Sequence, residues 1–356
     1  MTFTIAPVSV WAGMAMLGAA ALLAGDAPSP LRSGTATRSP PSHSGPRLTG
    51  VNLAGGEFKP GRRPGVYGKD YLYPRPADLA FFARAGMNVV RVPVRWERVQ
   101  PELAGPLSSE EMQRLDAVVR NAGQQRLHLI LDVHNYARYA GRKVDEPAIA
   151  DGLVDLWVRL AKRYGDTPVA FGLMNEPNGI AAAEWRPVVD RVVAAIRETG
   201  ARNLILVPGV RWTGAHSWTK PAGGDSNAAA FADFRDPGAN FAFEMHQYLD
   251  RDSSGTNPDC GSRDTGVERL RAATAWLRSV HARGFLGEFG ASGDAECLAT
   301  LDRMLGFLDQ NGDVWMGWTY WAAGPWWPEH YAFSLQPGRD GTERPQMQVL
   351  RAHLAQ

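Results

Sequence analysis

The sequence predicts an α/β fold, a (β/α)8 TIM barrel in a single domain that begins near Leu48. Eight short apolar runs alternate with amphipathic stretches of helical length, which is the pattern of parallel strands joined by crossover helices. Polar or aromatic residues follow nearly every apolar run. A doubly wound open sheet is the alternative, but residues 52–56 after the first run do not match the GxGxxG turn that such a sheet usually carries.

The predicted strands cover residues 49–53, 88–92, 127–133, 169–174, 204–208, 240–246, 284–288 and 314–320. The predicted helices cover residues 76–85, 109–124, 148–164, 182–199, 267–283 and 295–310. Ser108 precedes two glutamates at one helix start, and Gly86 and Gly200 stand where helices end. Residues 212–239 are only weakly periodic, and we expect a loop with short helical pieces over the active-site face.

The amino-terminal residues 1–27 are predicted to be a signal peptide or an uncleaved N-terminal membrane anchor. An apolar run covers residues 8–24, and a small-residue cleavage site follows at Ala27. No Lys or Arg precedes Trp11, which is unusual for a signal peptide and keeps the anchor open. Residues 28–47 are rich in Pro, Ser, Gly and Thr, and we expect a flexible linker there.

Composition narrows the possible partners. The formal net charge is +1, with 38 Lys and Arg against 37 Asp and Glu, so nothing indicates a nucleic-acid partner. The 12 Trp exceed what a core of this size needs, which indicates stacking surfaces as well as packing. The two cysteines, Cys260 and Cys297, form a disulfide if the chain is exported, or remain two buried thiols.

Two glutamates are the strongest candidates for chemistry. In such barrels the functional groups lie at the carboxyl ends of the strands. Glu176 and Glu288 follow the predicted fourth and seventh strands, and glycoside hydrolysis requires two facing carboxyl groups. Salt-bridge or capping roles are the alternative for each. Asp132 and Glu244 lie inside strands and are expected to be structural, paired with Arg or backbone, and Glu57 is a weaker candidate for substrate contact.

The histidines at two strand ends raise the question of a metal site. His134 and His246 are far apart in the sequence, with no HExxH spacing and no obvious third ligand. Hydrogen bonding to a sugar or to a glutamate is therefore favoured, and we predict no metal and no cofactor. A Ser-His-Asp hydrolase is disfavoured because the GxSxG elbow is absent.

Several segments together resemble glycoside hydrolase family 5. The run Met174-Asn175-Glu176-Pro177 resembles its NEP signature, and residues 132–139 resemble the DxHNYxRW segment of its fungal and bacterial endoglucanases. Residues 207–212, 243–256 and 321–324 are similar to the same subgroup, and the resemblance runs from about Leu48 to the end. Around Glu288 the sequence reads Gly-Glu-Phe-Gly instead of the subgroup's usual Thr-Glu-Thr-Gly, which puts the nearby subsite shape in doubt.

The resemblance implies a retaining mechanism in which Glu176 is the acid/base and Glu288 the nucleophile. It implies that Arg91 lies beside Glu288 and keeps it ionised, and that Tyr248 orients Glu288 by a hydrogen bond. Asn175 is expected to bind the sugar 2-hydroxyl.

Further binding roles follow from the same resemblance. His134 and His246 are expected to bind sugar hydroxyls or Glu176. Trp321 is expected to form the floor of the subsite where the bond breaks. Stacking platforms for further sugars are expected at Trp96, Trp212 and Trp326. The subgroup also tends to carry a cysteine pair at the positions of Cys260 and Cys297, which favours the disulfide.

These observations predict a catalytic domain over residues 48–356 that acts as a retaining endo-β-1,4-glucanase on β-glucan. Mannan or xyloglucan is the nearest alternative substrate, because loops at the rim decide sugar specificity. A catalytically weak carbohydrate-binding protein on the same fold is a second alternative. We expect a monomer that is secreted or periplasmic, and a membrane-anchored periplasmic enzyme of polymer synthesis remains a third alternative.

Overall fold

The computed structural model describes residues 47–221 and 223–355. Within these residues the chain forms ten strands: β1 (Leu48–Leu53), β2 (Val89–Val94), β3 (His128–Val133), β4 (Arg138–Tyr139), β5 (Arg142–Lys143), β6 (Val169–Gly172), β7 (Ile205–Pro208), β8 (Phe241–His246), β9 (Gly284–Glu288) and β10 (Trp315–Ala323). Strands β4 and β5 pair as a small antiparallel sheet, and the other eight close into a parallel barrel in chain order. The predicted TIM barrel is confirmed.

Helices fill the connections between the barrel strands. In the described part they are α1 (Pro76–Arg84), α2 (Trp96–Val99), α3 (Ser109–Gln124), α4 (Pro147–Tyr164), α5 (Ala182–Glu198), α6 (Asn227–Ala230), α7 (Thr265–Ser279), α8 (Ala295–Gln310) and α9 (Gln346–Ala352), with a 3-10 turn at Ala215–Ser217. The short pieces expected in residues 212–239 are therefore present. Helix α9 and the β4–β5 sheet were not predicted.

Local chemistry sets the ends of the helices. The Ser108 side chain accepts a hydrogen bond from the Glu111 backbone N–H and caps α3, whose buried face repeats every three or four residues. Helix α7 ends at Ser279, four residues before the predicted end. His281 adopts a left-handed backbone with φ of 54°, and the Ala282 N–H returns to the Leu277 carbonyl, which closes the helix early.

The barrel interior changes from apolar to polar along the strands. Its lower layer is a buried cluster of one inward residue from each of seven barrel strands, formed by Leu48, Val89, Ile130, Ala170, Leu206, Ala242 and Phe285. Side chains alternate along a strand, so the next inward positions lie two residues further on. There the sequence supplies Arg91, Asp132 and Glu244, all buried. The apolar floor thus supports a charged layer at the carboxyl-terminal face.

The predictions for residues 1–27, and for nearly all of 28–47, lie outside the described residues. Among those that are described, no helix combines the length and apolar character needed to cross a bilayer.

Candidate active site

A single buried guanidinium organises the polar layer. Arg91 on β2 has no exposed surface, and it donates a hydrogen bond of 2.9 Å to Glu288 Oε1. It also forms ion pairs with Glu244 at 2.9 Å and Asp132 at 3.2 Å. Both acids are therefore paired with an arginine, as predicted for them from the sequence. A Cβ at position 287 would lie 2.2 Å from a Glu244 carboxylate oxygen, so only glycine fits between the two strands.

Two asparagines extend this network. Arg91 donates to Asn52 Oδ1 and to Asn175 Oδ1, each at 2.9 Å. The Asn52 amide donates in turn to the Gly287 carbonyl at 2.9 Å, next to Glu288. Asn52 was not predicted from the sequence, although an amide residue inside a short, largely apolar strand was the available signal.

Glu288 stands at the end of β9, held by hydrogen bonds on both oxygens. The Tyr248 hydroxyl donates to Glu288 Oε2 at 2.9 Å, opposite the bond from Arg91. Burial raises the pKa of Tyr248 well above its ordinary value, so this hydroxyl stays protonated and remains a donor. Burial also raises the pKa of Glu288, and the positive charges of His246 and Arg91 oppose this rise. Both expected neighbours of Glu288 are thus in contact with it.

Glu176 follows β6 on a left-handed backbone, with φ of 45°. This conformation is uncommon outside glycine and is typical of functional positions. The Glu176 side chain is partly exposed, at 16%, whereas that of Glu288 is 5% exposed. Glu176 is the more accessible of the two carboxyl groups.

His246 lies between the two glutamates. Its Nδ1 is 2.8 Å from Glu176 Oε1 and 3.6 Å from Glu288 Oε2. Burial alone would lower the pKa of His246, but the carboxylates of Glu288, Glu176 and Glu244, the last at 3.4 Å from Nε2, outweigh burial and raise it to about 10. The ring is therefore protonated at neutral pH and donates to Glu176.

Three potential metal ligands lie within 4.8 Å of one another: one oxygen of Glu176, one oxygen of Glu288 and a ring nitrogen of His246. Three such groups are close enough to hold a metal ion. A metal ligand must be deprotonated, however, and the raised pKa of His246, about 10, favours the protonated ring. Arg91 also places a positive charge against Glu288. The same separation suits two carboxyl groups that act on one bond without an intervening water, for which the expected distance is ~5–5.5 Å.

His134 is in a different state from His246. Its Nδ1 is 2.7 Å from Asp132, and its Nε2 is 3.1 Å from the Asn175 amide nitrogen. Burial lowers the pKa of His134 to about 3, so the ring is neutral and its Nε2 accepts from Asn175. Of the two histidines proposed to bind Glu176, only His246 contacts it. The Asn175 side chain keeps one amide hydrogen for another partner.

Aromatic groups flank the carboxyl pair. Trp321, at the end of β10, stacks on His134 with 5.6 Å between ring centroids and 20° between planes. Tyr136 adopts φ of 55°, and its hydroxyl lies 3.2 Å from His134 Nε2. Tyr136 also faces the open cleft, which was not predicted from the sequence.

A cleft of about 520 Å³ runs outward from Glu176, His246 and Tyr248. Its outer wall includes Trp212, which is 54% exposed, and hydroxyl-bearing residues such as Ser254. A flat apolar ring beside hydroxyl groups matches the two kinds of surface that a sugar presents.

Other predicted contacts differ in the structure. Trp96 is fully buried against Tyr139, and its Nε1 donates to Gln100, so its prediction as a stacking platform is wrong. The short helix α2 turns this ring into the core. Trp326 is half-buried. Glu57 is buried after β1, where it accepts a bond from the Gly55 N–H, and burial raises its pKa to about 7.

The two cysteines are joined. Cys260, in the loop after β8, forms a disulfide with Cys297 in α8, with 5.5 Å between their Cα atoms. The bond ties the loop that follows Tyr248 to the helix that follows Glu288.

Comparisons with known proteins agree with this geometry. Residues 44–324 match the model of the cellulase family, glycosyl hydrolase family 5. The chain is 36% identical over 291 residues to endo-beta-1,4-glucanase A of Emericella nidulans, a match that covers 81% of this chain and 86% of that one. It is 48% identical to the crystal structure of a triple mutant of the endo-beta-1,4-glucanase Xac0030 of Xanthomonas axonopodis pv. citri, with a TM-score of 0.85 and coverage of 86% and 99%.

The structure of XacCel5A in complex with cellopentaose is likewise 48% identical, with a TM-score of 0.85, and the match covers 86% of this chain and 99% of that one. The barrel, the glutamates at the ends of β6 and β9, and the sequence match over most of the chain all agree. The chain therefore belongs to the cellulase family, glycosyl hydrolase family 5.

Proposed function

We propose that this protein is a retaining endo-β-1,4-glucanase that cleaves internal β-1,4 bonds of cellulose-type glucans. The observation that carries the proposal is the asymmetry of the two facing glutamates. Glu288 accepts bonds from a guanidinium and a phenol, as suits an anion that attacks carbon. Glu176 is the more accessible and faces the cleft, as suits a group that exchanges a proton with a leaving oxygen.

The first step breaks the glycosidic bond. A Glu288 carboxylate oxygen attacks the anomeric carbon while the Glu176 carboxyl gives its proton to the departing oxygen. The electron pair of the broken bond leaves with that oxygen. Arg91 and Tyr248 hold the nucleophile in line, and the free amide hydrogen of Asn175 is available to the sugar 2-hydroxyl, a contact that strengthens as positive charge develops.

The second step releases the sugar. Glu176, now a carboxylate, takes a proton from water as the water oxygen attacks the anomeric carbon, and Glu288 leaves with the electron pair of its ester bond. Two inversions give net retention. One oxygen of Glu176 lies within 4.8 Å of one oxygen of Glu288, and this close approach is compatible with the ~5–5.5 Å between carboxyl groups of double displacement.

The relatives support a β-1,4-glucan as substrate, since one is an endo-beta-1,4-glucanase and another is solved with cellopentaose. Trp321 is proposed as the floor beneath the reacting sugar and Trp212 as a platform for a sugar on the leaving side. Mannan differs from glucan at the 2-hydroxyl, which is where Asn175 is proposed to bind. Activity on soluble β-glucan, mannan, xyloglucan and xylan separates these substrates.

The roles of the two glutamates are tested with Glu176→Gln and Glu288→Gln, with Glu268→Gln on the exposed face of α7 as a matched control. Both active-site variants should lose hydrolysis of soluble glucan while remaining folded. With 2,4-dinitrophenyl β-cellobioside, whose leaving group needs no proton, Glu176→Gln should still release one equivalent of dinitrophenolate and Glu288→Gln should not. Near-normal glucan hydrolysis by either variant would contradict the assignment.

Stereochemistry provides a second test. Proton NMR of the first product should show the β-anomer before mutarotation, as double displacement requires. If the α-anomer appears first, the mechanism is single displacement and the nucleophilic role of Glu288 is wrong.

The proposed location is the periplasm or the medium, supported by the apolar run at residues 8–24 and by the Cys260–Cys297 bond. Fractionation of cells that express the full chain distinguishes a released enzyme from an anchored one. We also propose a monomer, which light scattering of the purified protein tests.

A further inference from the structure

Three consecutive residues after β7 adopt a left-handed backbone. The φ angles are 59° at Arg211, 54° at Trp212 and 49° at Thr213. Non-glycine residues rarely adopt this conformation, and for a β-branched residue such as threonine it is a true outlier. Such a backbone persists only where surrounding contacts fix it, and it clusters at functional sites. The side chain at position 213 is therefore a candidate for a specific task.

The Thr213 hydroxyl has two backbone partners. The Gly209 N–H donates to Thr213 Oγ1 at 2.9 Å, and the Thr213 O–H donates to the Glu244 carbonyl at 2.6 Å. The residue has no exposed surface. One buried hydroxyl thus closes the turn that follows β7 and fastens it to the neighbouring strand β8.

The backbone around Thr213 leads to two functional side chains. Its carbonyl accepts a hydrogen bond of 3.0 Å from the His246 N–H, and the His246 ring lies 2.8 Å from Glu176. The preceding residue is Trp212, whose ring stands open in the cleft. Thr213 is therefore adjacent in sequence to Trp212, the proposed sugar platform. It is also hydrogen-bonded to the backbone of His246, whose ring contacts the proposed acid Glu176.

We propose that Thr213 is a positioning residue that sets both the stacking surface of Trp212 and the placement of His246 against Glu176. The proposal rests on the proposed function, because it assigns a leaving-side sugar to Trp212 and proton transfer to Glu176. Loss of the hydroxyl frees the turn from β8, so the Trp212 ring and the His246 backbone lose their common support.

The test compares Thr213→Val, which keeps the branched shape without the hydroxyl, with Thr213→Ser, which keeps the hydroxyl. Two substrates are used. Cellopentaose extends to the Trp212 side and has a leaving group that needs a proton. The compound 2,4-dinitrophenyl β-cellobioside has a short leaving group that needs none. Trp212→Ala serves as the comparison for loss of stacking alone.

With cellopentaose, Thr213→Val should raise KM and lower kcat, each about tenfold. This is expected when the loss of supporting contacts lets reacting groups shift by a fraction of an ångström. With the dinitrophenyl substrate, the rate of the first-step burst of dinitrophenolate should remain within about twofold of wild type, since neither stacking nor proton donation limits that step. Thr213→Ser should recover most of the cellopentaose activity. Trp212→Ala should raise KM for cellopentaose with a smaller change in kcat.

A structural role for the hydroxyl would produce a different pattern. If Thr213→Val loses the same factor on both substrates, in proportion to a loss of folded protein in thermal unfolding, the positioning role is wrong. The role is also wrong if this variant matches wild type on cellopentaose. If the wild-type protein does not hydrolyse cellopentaose, that result contradicts the proposed function on which this role depends.

Discussion

Replacing Tyr248 by Phe removes one hydrogen bond to the proposed nucleophile and little else. The ring stacks on Phe333, with 6.2 Å between centroids, and Gly255 lies so close to the ring that an added Cβ would come within 2.7 Å of it. Both contacts involve the ring rather than the hydroxyl, so phenylalanine should preserve the packing. The lost contact is the 2.9 Å bond that the Tyr248 hydroxyl donates to Glu288.

A hydrogen bond to a charged group contributes about 1.5–3 kcal/mol. If the whole contribution acts on the attacking carboxylate, kcat/KM should fall roughly 10- to 150-fold. The bond stabilises the anion, so its loss should raise the pKa of Glu288 further and move the acid limb of the kcat/KM profile to higher pH. The unfolding temperature should change little.

The assay is the pH dependence of kcat/KM on a soluble β-glucan for wild type and Tyr248→Phe, with thermal unfolding measured in parallel. A rate loss with an unmoved acid limb would show that the hydroxyl does not act through ionisation of Glu288. A variant with wild-type rates at every pH would refute the assigned contact altogether.

Three further predictions follow from separate contacts. Trp212→Ala should raise KM for cello-oligosaccharides by about 10-fold, as expected for loss of one stacking contact, and equal KM values would contradict a platform at this position. Cys260 and Cys297 are separated by 37 residues, so their bond should stabilise the fold by about 4 kcal/mol in the chain-entropy model. Urea unfolding of a double serine variant measures this difference, and native protein with two alkylatable thiols would rule the bond out. The raised pKa of His246 gives stability that is complete below the ordinary histidine pKa of ~6.5 and is lost as pH rises through about 10. Wild-type unfolding temperatures should therefore fall across that window more than those of His246→Asn, and parallel curves would show that the ring does not titrate there.

The fold was predictable because parallel barrel strands are buried on both faces and read as short apolar runs. The run at residues 284–288 coincides with β9, and the others differ from the observed strands by one to three residues at their ends. The candidate acids were predictable because the carboxyl ends of barrel strands gather at one face. Glu176 and Glu288 therefore had to approach each other.

Side-chain direction and protonation were less accessible to sequence reasoning. Trp96 follows a strand as other rim aromatics do, yet a four-residue helix turns it inward. His134 and His246 occupy similar places in the sequence pattern, but the first contacts Asp132 and the second contacts Glu176. The pKa values diverge to about 3 and about 10, because the balance between burial and nearby anions depends on distances of a few ångströms.

The position of His246 between the two glutamates has a consequence for the charge of the site during turnover. In the proposed mechanism Glu288 is the anion before the first step and Glu176 carries the proton. In the glycosyl-enzyme Glu288 is a neutral ester and Glu176 has become the anion, so the pair holds one negative charge in both stages. The Nδ1 atom of His246 lies 3.6 Å from Glu288, the anion of the first stage, and 2.8 Å from Glu176, the anion of the second. In the proposed mechanism, His246 therefore faces one anion of this pair in both stages, in addition to Glu244, whose Oε1 lies 3.4 Å from its Nε2. The pair can then pass between its two chemical states without exchanging a proton with solvent until water itself attacks.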